Sequence, residues 1–286
     1  MVTVDTKLIS LLGYPLRQTF APQMFNRTFS ELGMDFFYFP IEVESDRLGT
    51  IVSAIRCMNY AGFNVTKPNK TAILEHLDEL DNLARAIGSV NVVAIREGVL
   101  KGYNTDGVGF VDALLERTTV DLAQSDFLIL GAGGASRAIS TTLASRGARK
   151  LYIVDQFDSA SSEVVNNVNS MVRECAEFVP FADAPMAELV AGVDVLVNAT
   201  GIGMYPNADR TPLERSLLRP GLLVVDITYN PAKTRLLLDA EAAGCTIMNG
   251  LGMAIHQGIA GFTLMTGRPG PPDVMTRVMH EIAAQN

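Results

Sequence analysis

The stretch FLILGAGGASRAI (residues 127–139) decides the fold class of this chain. An apolar run is followed directly by a glycine-rich turn and by the first residues of a helical pattern. Gly131 permits a tight turn, and Gly133 lets backbone N–H groups approach a pyrophosphate at the helix N-terminus. Ser136, which is still small, replaces the third glycine of the usual fingerprint. This setting favours a dinucleotide-binding unit over a purely structural turn.

Predicted strands and helices alternate along the whole chain. Short apolar runs predict strands at 7–15, 36–42, 62–66, 127–130, 151–154, 193–199, 222–228 and 245–248. Helical patterns occupy 22–32, 46–58, 106–117 and two segments of the tail on either side of RPGPP. A hairpin is predicted at 89–105, where REG separates two strand-like runs. The fold class predicted is α/β with two lobes. The alternation after residue 106 predicts a mostly parallel, doubly wound sheet with helices on both faces, and the first hundred residues follow a βαβα rhythm of their own.

The residue that ends the second strand of this unit indicates the identity of the cofactor. Asp155 ends KLYIVD, close to the position of the acid that hydrogen-bonds the ribose hydroxyls of a dinucleotide. A carboxylate there would repel the 2′-phosphate of NADP, Asp158 adds to the repulsion, and no Arg or Lys lies between Asp155 and Ser162. We therefore predict NAD, with NADP less favoured. If Asp155 only caps a loop, the choice of cofactor stays open.

Composition sets limits on the other classes of function. The 286 residues are 48% hydrophobic and 19% charged, with a net charge of −8, which predicts a globular protein without nonspecific affinity for nucleic acid. No signal peptide or membrane-spanning run is recognisable, so we expect a cytoplasmic protein that does not bind membranes. The cysteines and histidines lack metal-ligand spacing, so no metal is expected. The three cysteines are interpreted as buried thiols.

A candidate proton carrier follows from the chemistry of a nicotinamide cofactor. An alcohol that loses hydride must also lose a proton, and some side chain has to take it. The three histidines are far apart in the sequence, so a lysine near an acid is the next candidate. NVTKPNK (64–70) offers Lys67 and Lys70, and GYNTDGVG (102–109) places Asp106 where a hairpin strand ends and a helix begins.

The motifs NVTKPNK, GYNTDGVGF, GAGGASRA, VNATGIGM, DITYNP and GMAIHQG occur in this order over nearly the whole chain. Together they resemble the shikimate/quinate dehydrogenase family, and most closely its dual quinate/shikimate branch. The resemblance implies a substrate-binding domain at 1–106, completed by C-terminal helices at 250–286, and a Rossmann-like dinucleotide domain at 107–249. It also implies reversible oxidation of a ring hydroxyl of quinate or shikimate to the 3-dehydro compound.

The resemblance assigns roles to individual residues. Lys70 would be the catalytic acid/base, held and oriented by an ion pair with Asp106, while Lys67 would be a neighbour within the motif. The substrate-binding residues would be Thr19, Thr66, Asn91, Asn104, Thr105, Tyr229 and Gln257. The cofactor-binding residues would be Gly131, Ala132, Gly133, Gly134, Ala135, Asp155, Thr200 and Gly250. Met204 and Met253 are interpreted as packing residues.

The loop GYPLRQTFAP (13–22) departs from the family pattern. The family carries two serines there, whose hydroxyls hold the substrate carboxylate. Thr19 keeps one hydroxyl, Ala21 has none, and Gln18 stands where histidine is usual. A lost hydrogen bond to a charged group is worth about 1.5–3 kcal/mol. We therefore expect weak activity on shikimate and a preference for quinate or an amino or otherwise modified analogue, unless Arg17 or Gln18 holds the carboxylate instead.

Three readings stay open at this point. The first is a dehydrogenase whose partner is a small cyclic polyol carboxylate. The second is a dinucleotide-sensing regulator that kept the fold and lost turnover, which only the altered carboxylate loop supports. The third is an unrelated nicotinamide-dependent reductase with the same two-lobed layout. The physiological direction of the reaction and the formation of a homodimer are not decided by the sequence.

Overall fold

A computed structural model describes residues 2–16, 19–181 and 185–285. The chain divides into two compact units, one made of Met1–Thr105 with Ile255–Asn286 and the other of Asp106–Ala254. The boundaries expected from the sequence, 1–106 with 250–286 and 107–249, differ slightly from these. The assignment of one unit to substrate and the other to dinucleotide stays a prediction.

The secondary-structure elements are numbered in chain order. The strands are β1 (Lys7–Gly13), β2 (Phe36–Glu42), β3 (Tyr60–Val65), β4 (Glu79–Leu80), β5 (Val92–Arg96), β6 (Val99–Tyr103), β7 (Asp126–Leu130), β8 (Lys150–Val154), β9 (Ala176–Phe178), β10 (Val195–Asn198), β11 (Leu223–Asp226) and β12 (Thr246–Met248). The helices are α1 (Ala21–Glu31), α2 (Leu48–Arg56), α3 (Asn82–Ile87), α4 (Asp106–Arg117), α5 (Gly134–Ser145), α6 (Asp158–Met171), α7 (Met186–Gly192), α8 (Arg235–Ala242), α9 (Leu251–Thr266) and α10 (Pro272–Ala283).

The sheet of the first unit is mixed and has the order β2-β1-β3-β5-β6-β4. β1 pairs in parallel with β2 and β3, whereas β5 pairs antiparallel with β3 and β6. Glu97 and Gly98 form the turn between β5 and β6, both with positive φ (50° and 81°), as a two-residue hairpin turn requires. The predicted hairpin is therefore present. One face of the sheet is covered by an aromatic cluster, in which the Phe25 and Tyr38 rings stack at 4.7 Å between centroids.

The sheet of the second unit is entirely parallel and has the order β12-β11-β10-β7-β8-β9. Alternate residues of its strands enter different hydrophobic clusters, since Phe127 and Ile129 belong to one and Leu128 and Leu130 to another. Helices therefore cover both faces, as a buried parallel sheet requires. The strand order reverses between β7 and β10, which is the topological switch point where such folds bind ligands. The α/β, Rossmann-like fold class is confirmed.

Some expectations about individual elements are wrong. β9 and β4 are absent from the predicted strands because each is only two or three residues long and carries a glutamate. Cys57 is exposed at the end of α2, so the cysteines are not all buried thiols. Met204 is also exposed, whereas Met253 packs in the core of the second unit as expected. Within the described residues no helix is long and apolar enough to cross a membrane.

The ion pair of Arg56 and Asp78 connects three segments of the first unit. The Arg56 guanidinium donates to both oxygens of Asp78, at 2.9 and 3.0 Å, and to the carbonyl of His76 at 3.2 Å. The Leu100 amide also donates to Asp78, at 2.7 Å. The hydrogen bonds from Arg56 and Leu100 lower the pKa of the Asp78 carboxyl. Asp78 thereby connects α2, the segment before β4 and the strand β6.

We predict that D78N lowers the melting temperature at neutral pH and that the difference from wild type shrinks on acidification. Because the folded-state pKa of Asp78 is lowered, its stabilising contribution is present above the unfolded pKa, about 3.9, and is lost as pH falls through the folded value. Thermal unfolding of wild type and D78N between neutral and acidic pH measures this. D46N, at an exposed aspartate of the same unit, is the control. A gap that does not change with pH would show that Asp78 does not act through its charge.

Candidate active site

The NVTKPNK segment leaves β3 and forms a turn in which Lys70 is half-buried and Lys67 is exposed. Asn69, between them and fully buried, donates from Nδ2 to the Val43 carbonyl at 2.9 Å and accepts from the Ser45 hydroxyl at 2.8 Å. The Lys70 carbonyl accepts the Val90 amide N–H at 2.9 Å. Lys70 thus has a hydrogen-bonded carbonyl and follows a residue whose side chain is held on both of its polar atoms.

The end of β1 lies directly against this turn. The Thr66 amide donates to the Leu12 carbonyl and the Tyr14 amide to the Lys67 carbonyl, each at 2.9 Å. A Cβ at Gly13 would overlap the methyl group of Thr66 and lie 2.8 Å from the Lys67 carbonyl oxygen. Position 13 therefore has to be glycine for the two segments to approach this closely.

Three of the predicted substrate-binding residues are brought together in the first unit. The Thr105 amide donates to Asn91 Oδ1 at 2.8 Å, and Asn91 Nδ2 donates to Thr105 Oγ1 at 3.0 Å and to Gln257 Oε1 at 3.3 Å. The Thr105 hydroxyl also lies 3.2 Å from the Gln257 carbonyl oxygen. This cluster consists of neutral donors and acceptors, which are the groups that suit the hydroxyls of a polyol.

Two further residues, Tyr38 and Asn64, are hydrogen-bonded in series to this cluster and are absent from the predicted site residues. The hydroxyl of the buried Tyr38 donates to Asn64 Oδ1 at 3.0 Å, and Asn64 Nδ2 donates to the Asn91 carbonyl at 3.2 Å. Burial raises the pKa of Tyr38 well above its ordinary value, so the phenol stays protonated and donates. Asn64 opens the NVTKPNK motif and could have been suspected. Tyr38 lies in an ordinary apolar strand and gave no signal.

The remaining predicted residues of the chemical site lie at the end of the hairpin, at the start of α4 and before α1. Asn104 is buried and donates from Nδ2 to the carbonyl and the hydroxyl of Ser89, at 3.1 and 3.0 Å. Asp106 is the buried first residue of α4, where a carboxylate interacts favourably with the helix dipole. The Thr19 hydroxyl oxygen accepts the Ala21 amide N–H at 3.2 Å. The residues suggested as alternative anchors, Arg17 and Gln18, lie outside the described residues.

The glycine turn of the second unit has the geometry of an anion cradle. Gly131 has φ of +101°, and a Cβ there would lie 2.9 Å from the Ala199 carbonyl oxygen. A Cβ at Gly133 or Gly134 would meet nothing within 4 Å, so open space lies in front of the first turn of α5. Gly133 is the N-cap residue and supplies no side-chain acceptor. The N–H groups of that first turn are therefore suited to a pyrophosphate.

Asp155 does not have the surroundings that the ribose prediction assumed. Its Oδ2 accepts the Ala132 amide at 2.8 Å, and its Oδ1 accepts the Phe157 amide at 2.9 Å. Each carboxylate oxygen thus already holds a backbone group, one in the glycine turn and one before α6. An acid at this position is accounted for by the local backbone alone and does not by itself select a cofactor.

The other predicted cofactor residues are fixed by packing and by a polar network. Ala132 is buried and Ala135 half-buried in the turn and first turn of α5. A Cβ at Gly250 would overlap the Ile227 carbonyl, so glycine is needed there for packing. The Thr200 hydroxyl donates to Asn198 Oδ1 at 2.7 Å. Tyr229, predicted to bind substrate, is in the second unit, and burial raises the pKa of its phenol.

A parallel sheet with a glycine-rich turn and a separate cluster of neutral polar side chains defines a two-unit, dinucleotide-binding α/β protein. Family models described as "Shikimate dehydrogenase substrate binding domain" and "Shikimate 5′-dehydrogenase C-terminal domain" match residues 11–93 and 250–280. The chain belongs to the shikimate/quinate dehydrogenase family, whose members are oxidoreductases acting on a CH–OH group.

Individual relatives cover almost the whole chain. The shikimate dehydrogenase (NADP(+)) of Alkaliphilus metalliredigens is 39% identical over 96% of both chains. That of Desulforamulus reducens is 37% identical over 98% of this chain and 97% of its own. Among solved structures, shikimate 5-dehydrogenase from Listeria monocytogenes in complex with shikimate and NAD has a TM-score of 0.90 at 37% identity, covering 97% of this chain and 98% of that one. A shikimate dehydrogenase in complex with NADP+ has a TM-score of 0.90 at 33% identity, with coverages of 99% and 98%.

The comparisons overturn the predicted preference for NAD over NADP. The curated relatives are named NADP(+) enzymes, and a neighbouring structure was determined with NADP+. The physical reason for the error is that the prediction treated Asp155 as a free ribose acceptor. Its carboxylate instead holds the backbone of the glycine turn and of the residue before α6.

We predict that G131A lowers the free energy of unfolding by about 1–3 kcal/mol more than G147A does. Both glycines have positive φ (+101° and +91°), so both variants bear backbone strain, but only a Cβ at position 131 meets the Ala199 carbonyl. At Gly147 nothing lies within 4 Å. Urea unfolding of both variants measures the difference. Equal losses would mean that the strand end at Ala199 can move away, and that the turn is not constrained by it.

Proposed function

We propose that this protein catalyses the reversible, NADP-dependent oxidation of a ring hydroxyl of shikimate to 3-dehydroshikimate. The observation that carries the proposal is the cluster of Asn91, Thr105 and Gln257, a set of neutral hydrogen-bonding groups in the unit that contains Lys70. Family membership over nearly the full chain supports the same substrate class. A dinucleotide-sensing regulator would have no need for a polyol site beside a fixed lysine.

The dinucleotide would be held by the second unit. The first-turn N–H groups of α5 would receive the pyrophosphate, because the positions of Gly133 and Gly134 leave room for it. Gly131, Ala132, Ala135 and Thr200 would form the walls of that site. When bound, the nicotinamide ring supplies the hydride acceptor. The chain itself has to bind the alcohol, orient it and move its proton.

Lys70 would carry the proton of the reacting hydroxyl. Its carbonyl is bonded to the Val90 amide, and the next residue, Asn91, is bonded to Thr105, so the lysine turn is connected to the polar cluster within one unit. Asp106 follows Thr105 in the chain, and we assign to it an ion pair that orients the Lys70 ammonium group. The amine accepts the proton during oxidation and returns it during reduction.

The substrate hydroxyls would be bound by the neutral side chains of Asn91, Thr105 and Gln257, with Thr66 completing this set. Because these groups are neutral, Lys70 and Asp106 would be the charged side chains that take part in the chemical step. Asn104, whose Nδ2 is bonded to Ser89, would be a further member of this set. The Thr19 hydroxyl would donate to the substrate carboxylate, because its oxygen already accepts the Ala21 amide.

We predict that K70A lowers kcat for shikimate oxidation by about 10²- to 10⁴-fold and leaves the dissociation constant of NADPH within a factor of about two of the wild type. The reason is that the variant loses the proton carrier and keeps the dinucleotide unit. K67A is the matched control, since Lys67 is an exposed lysine of the same turn. Steady-state kinetics and NADPH fluorescence titration give both quantities.

The two variants separate the possible outcomes. A K70A protein with wild-type kcat would reject Lys70 as the acid/base. Equal losses in K70A and K67A would indicate damage to the turn rather than to proton transfer. A wild-type protein that binds NADPH but oxidises neither shikimate nor quinate and its analogues would reject the proposed function and favour the sensor.

A second substrate is favoured by one observation, the absence of a hydroxyl at Ala21. The carboxylate of shikimate would then be held by Thr19 with one hydrogen bond fewer than in the family pattern. Quinate, or an amino or otherwise modified analogue, would be preferred if its carboxylate is bound through other groups.

We predict that A21S raises kcat/KM for shikimate about ten- to a hundredfold, which corresponds to one hydrogen bond to a charged group. A21C is the control, because its thiol has a similar shape and is a weak donor. The same assay with quinate shows whether the gain is general for ring carboxylates. An unchanged or lower kcat/KM in A21S would place the carboxylate away from position 21.

A further inference from the structure

The second unit buries a carboxylate that the reaction above does not use. Asp226 ends β11 and is fully buried. Its Oδ1 accepts the Thr228 amide at 2.9 Å, and its Oδ2 accepts from Asn198 Nδ2 at 2.9 Å and from the Thr234 hydroxyl at 2.8 Å. Burial raises the pKa of Asp226, and these hydrogen bonds lower it. Because a buried carboxylate is costly, a role beyond packing is worth seeking.

The bond to Asn198 continues into the loop that follows β10. Asn198 Oδ1 accepts from the Thr200 amide at 3.1 Å and from the Thr200 hydroxyl at 2.7 Å. Asn198 Nδ2 donates to the Ile202 carbonyl at 3.1 Å, and the Ile202 amide donates to Thr200 Oγ1 at 3.0 Å. One side-chain amide therefore fixes residues 200–202.

This loop forms one wall of the glycine turn. A Cβ at Gly131 would lie 2.9 Å from the Ala199 carbonyl oxygen and 3.0 Å from the Thr200 nitrogen. The Gly131 amide is bonded to the Val154 carbonyl on the other side, at 2.8 Å. A displacement of the loop at Thr200 would therefore alter the turn that the dinucleotide needs.

The orientation of the Asn198 amide determines whether the loop at Thr200 has a hydrogen-bond acceptor. A carboxamide has a donor end and an acceptor end of nearly the same shape, so it can be placed in two ways. Ionised Asp226 offers only acceptor oxygens, which forces Asn198 to present its NH₂ group to β11. The carbonyl end then faces Thr200, whose amide and hydroxyl both donate. A donor at position 226 would favour the opposite placement, in which the loop loses its acceptor.

We propose that Asp226 is a positioning residue of the dinucleotide site, which acts by fixing the Asn198 amide and through it the loop at Thr200. The inference rests on the proposed function, because it takes the ligand of this turn to be NADP. Asp226 touches neither substrate nor cofactor in this scheme. Its effect is to hold the wall of the turn in the conformation that receives the pyrophosphate.

The test measures the binding of NADPH to D226N by fluorescence titration. The Thr228 backbone amide can only donate, so the introduced amide keeps its oxygen toward Thr228 and sets its NH₂ group against the NH₂ group of Asn198. We expect the dissociation constant of NADPH to rise about tenfold or more. We expect kcat at saturating NADP and shikimate to change much less. T234V is the matched control, since it removes another donor to the same Asp226 oxygen without reorienting Asn198. It should lower the urea midpoint and leave NADPH binding within about twofold of wild type.

The exchanged pair N198D/D226N provides a rescue. The introduced amide at position 226 can donate to the introduced carboxylate at position 198, which still accepts both donors of Thr200. The bond to the Ile202 carbonyl is lost, and the Thr234 hydroxyl has to accept from the introduced amide instead of donating to position 226. We expect the double variant to bind NADPH more tightly than D226N, and N198D alone to bind weakly because two carboxylates would face each other.

The outcomes distinguish this inference from the proposed function. Two results overturn the inference and leave the proposed function intact. One is a D226N protein that binds NADPH with wild-type affinity. The other is a double variant that has a native urea midpoint and binds NADPH no more tightly than D226N. If D226N does not fold, a double variant that folds and binds NADPH near wild type supports the inference, and one that folds and binds tenfold more weakly overturns it. A wild-type protein that does not bind NADPH overturns both.

Discussion

The hydrogen-bonded pair of Asn91 and Thr105 is the interaction on which the candidate active site depends. Each residue both donates to and accepts from the other, and both are buried, so the pair has little freedom to reorient. Asn91 follows Val90, which holds the Lys70 carbonyl, and Thr105 precedes Asp106. One side-chain amide, that of Asn91, is therefore connected through adjacent backbone both to Lys70 and to the residue before α4.

The second unit also contains a buried asparagine whose side-chain amide fixes an adjacent segment. The Asn198 amide, at the end of a buried parallel strand, organises the loop beside the glycine turn, just as Asn91 organises the end of the hairpin. In each case a neighbouring group fixes the orientation of the amide. The Thr105 amide N–H binds the oxygen of Asn91, and the Asp226 carboxylate binds the nitrogen of Asn198, so that the Asn198 oxygen faces Thr200. Buried amides can therefore position a polar site without adding charge to it.

Much of the fold followed from the sequence, because periodicity and turn chemistry are local. The β7–Gly131–α5 sequence, the helix at 106–117 and the hairpin turn at Glu97 and Gly98 are examples. The cofactor preference failed because the spacing of Asp155 says where a carboxylate lies but not that backbone amides already occupy it. Asp226 was missed because its partner Asn198 is distant in the chain and only the strand pairing of β10 and β11 brings them together.

The central claim is that this chain binds a ring alcohol beside Lys70 and oxidises it with a dinucleotide held at the Gly131 turn. The most direct measurement is the progress curve of NADPH formation when shikimate is added to the purified wild-type protein with NADP. The account predicts formation of NADPH that requires shikimate and continues over many turnovers, with 3-dehydroshikimate appearing in equal amount. Tight NADPH binding without any NADPH formation from shikimate, or from quinate and its analogues, would contradict it.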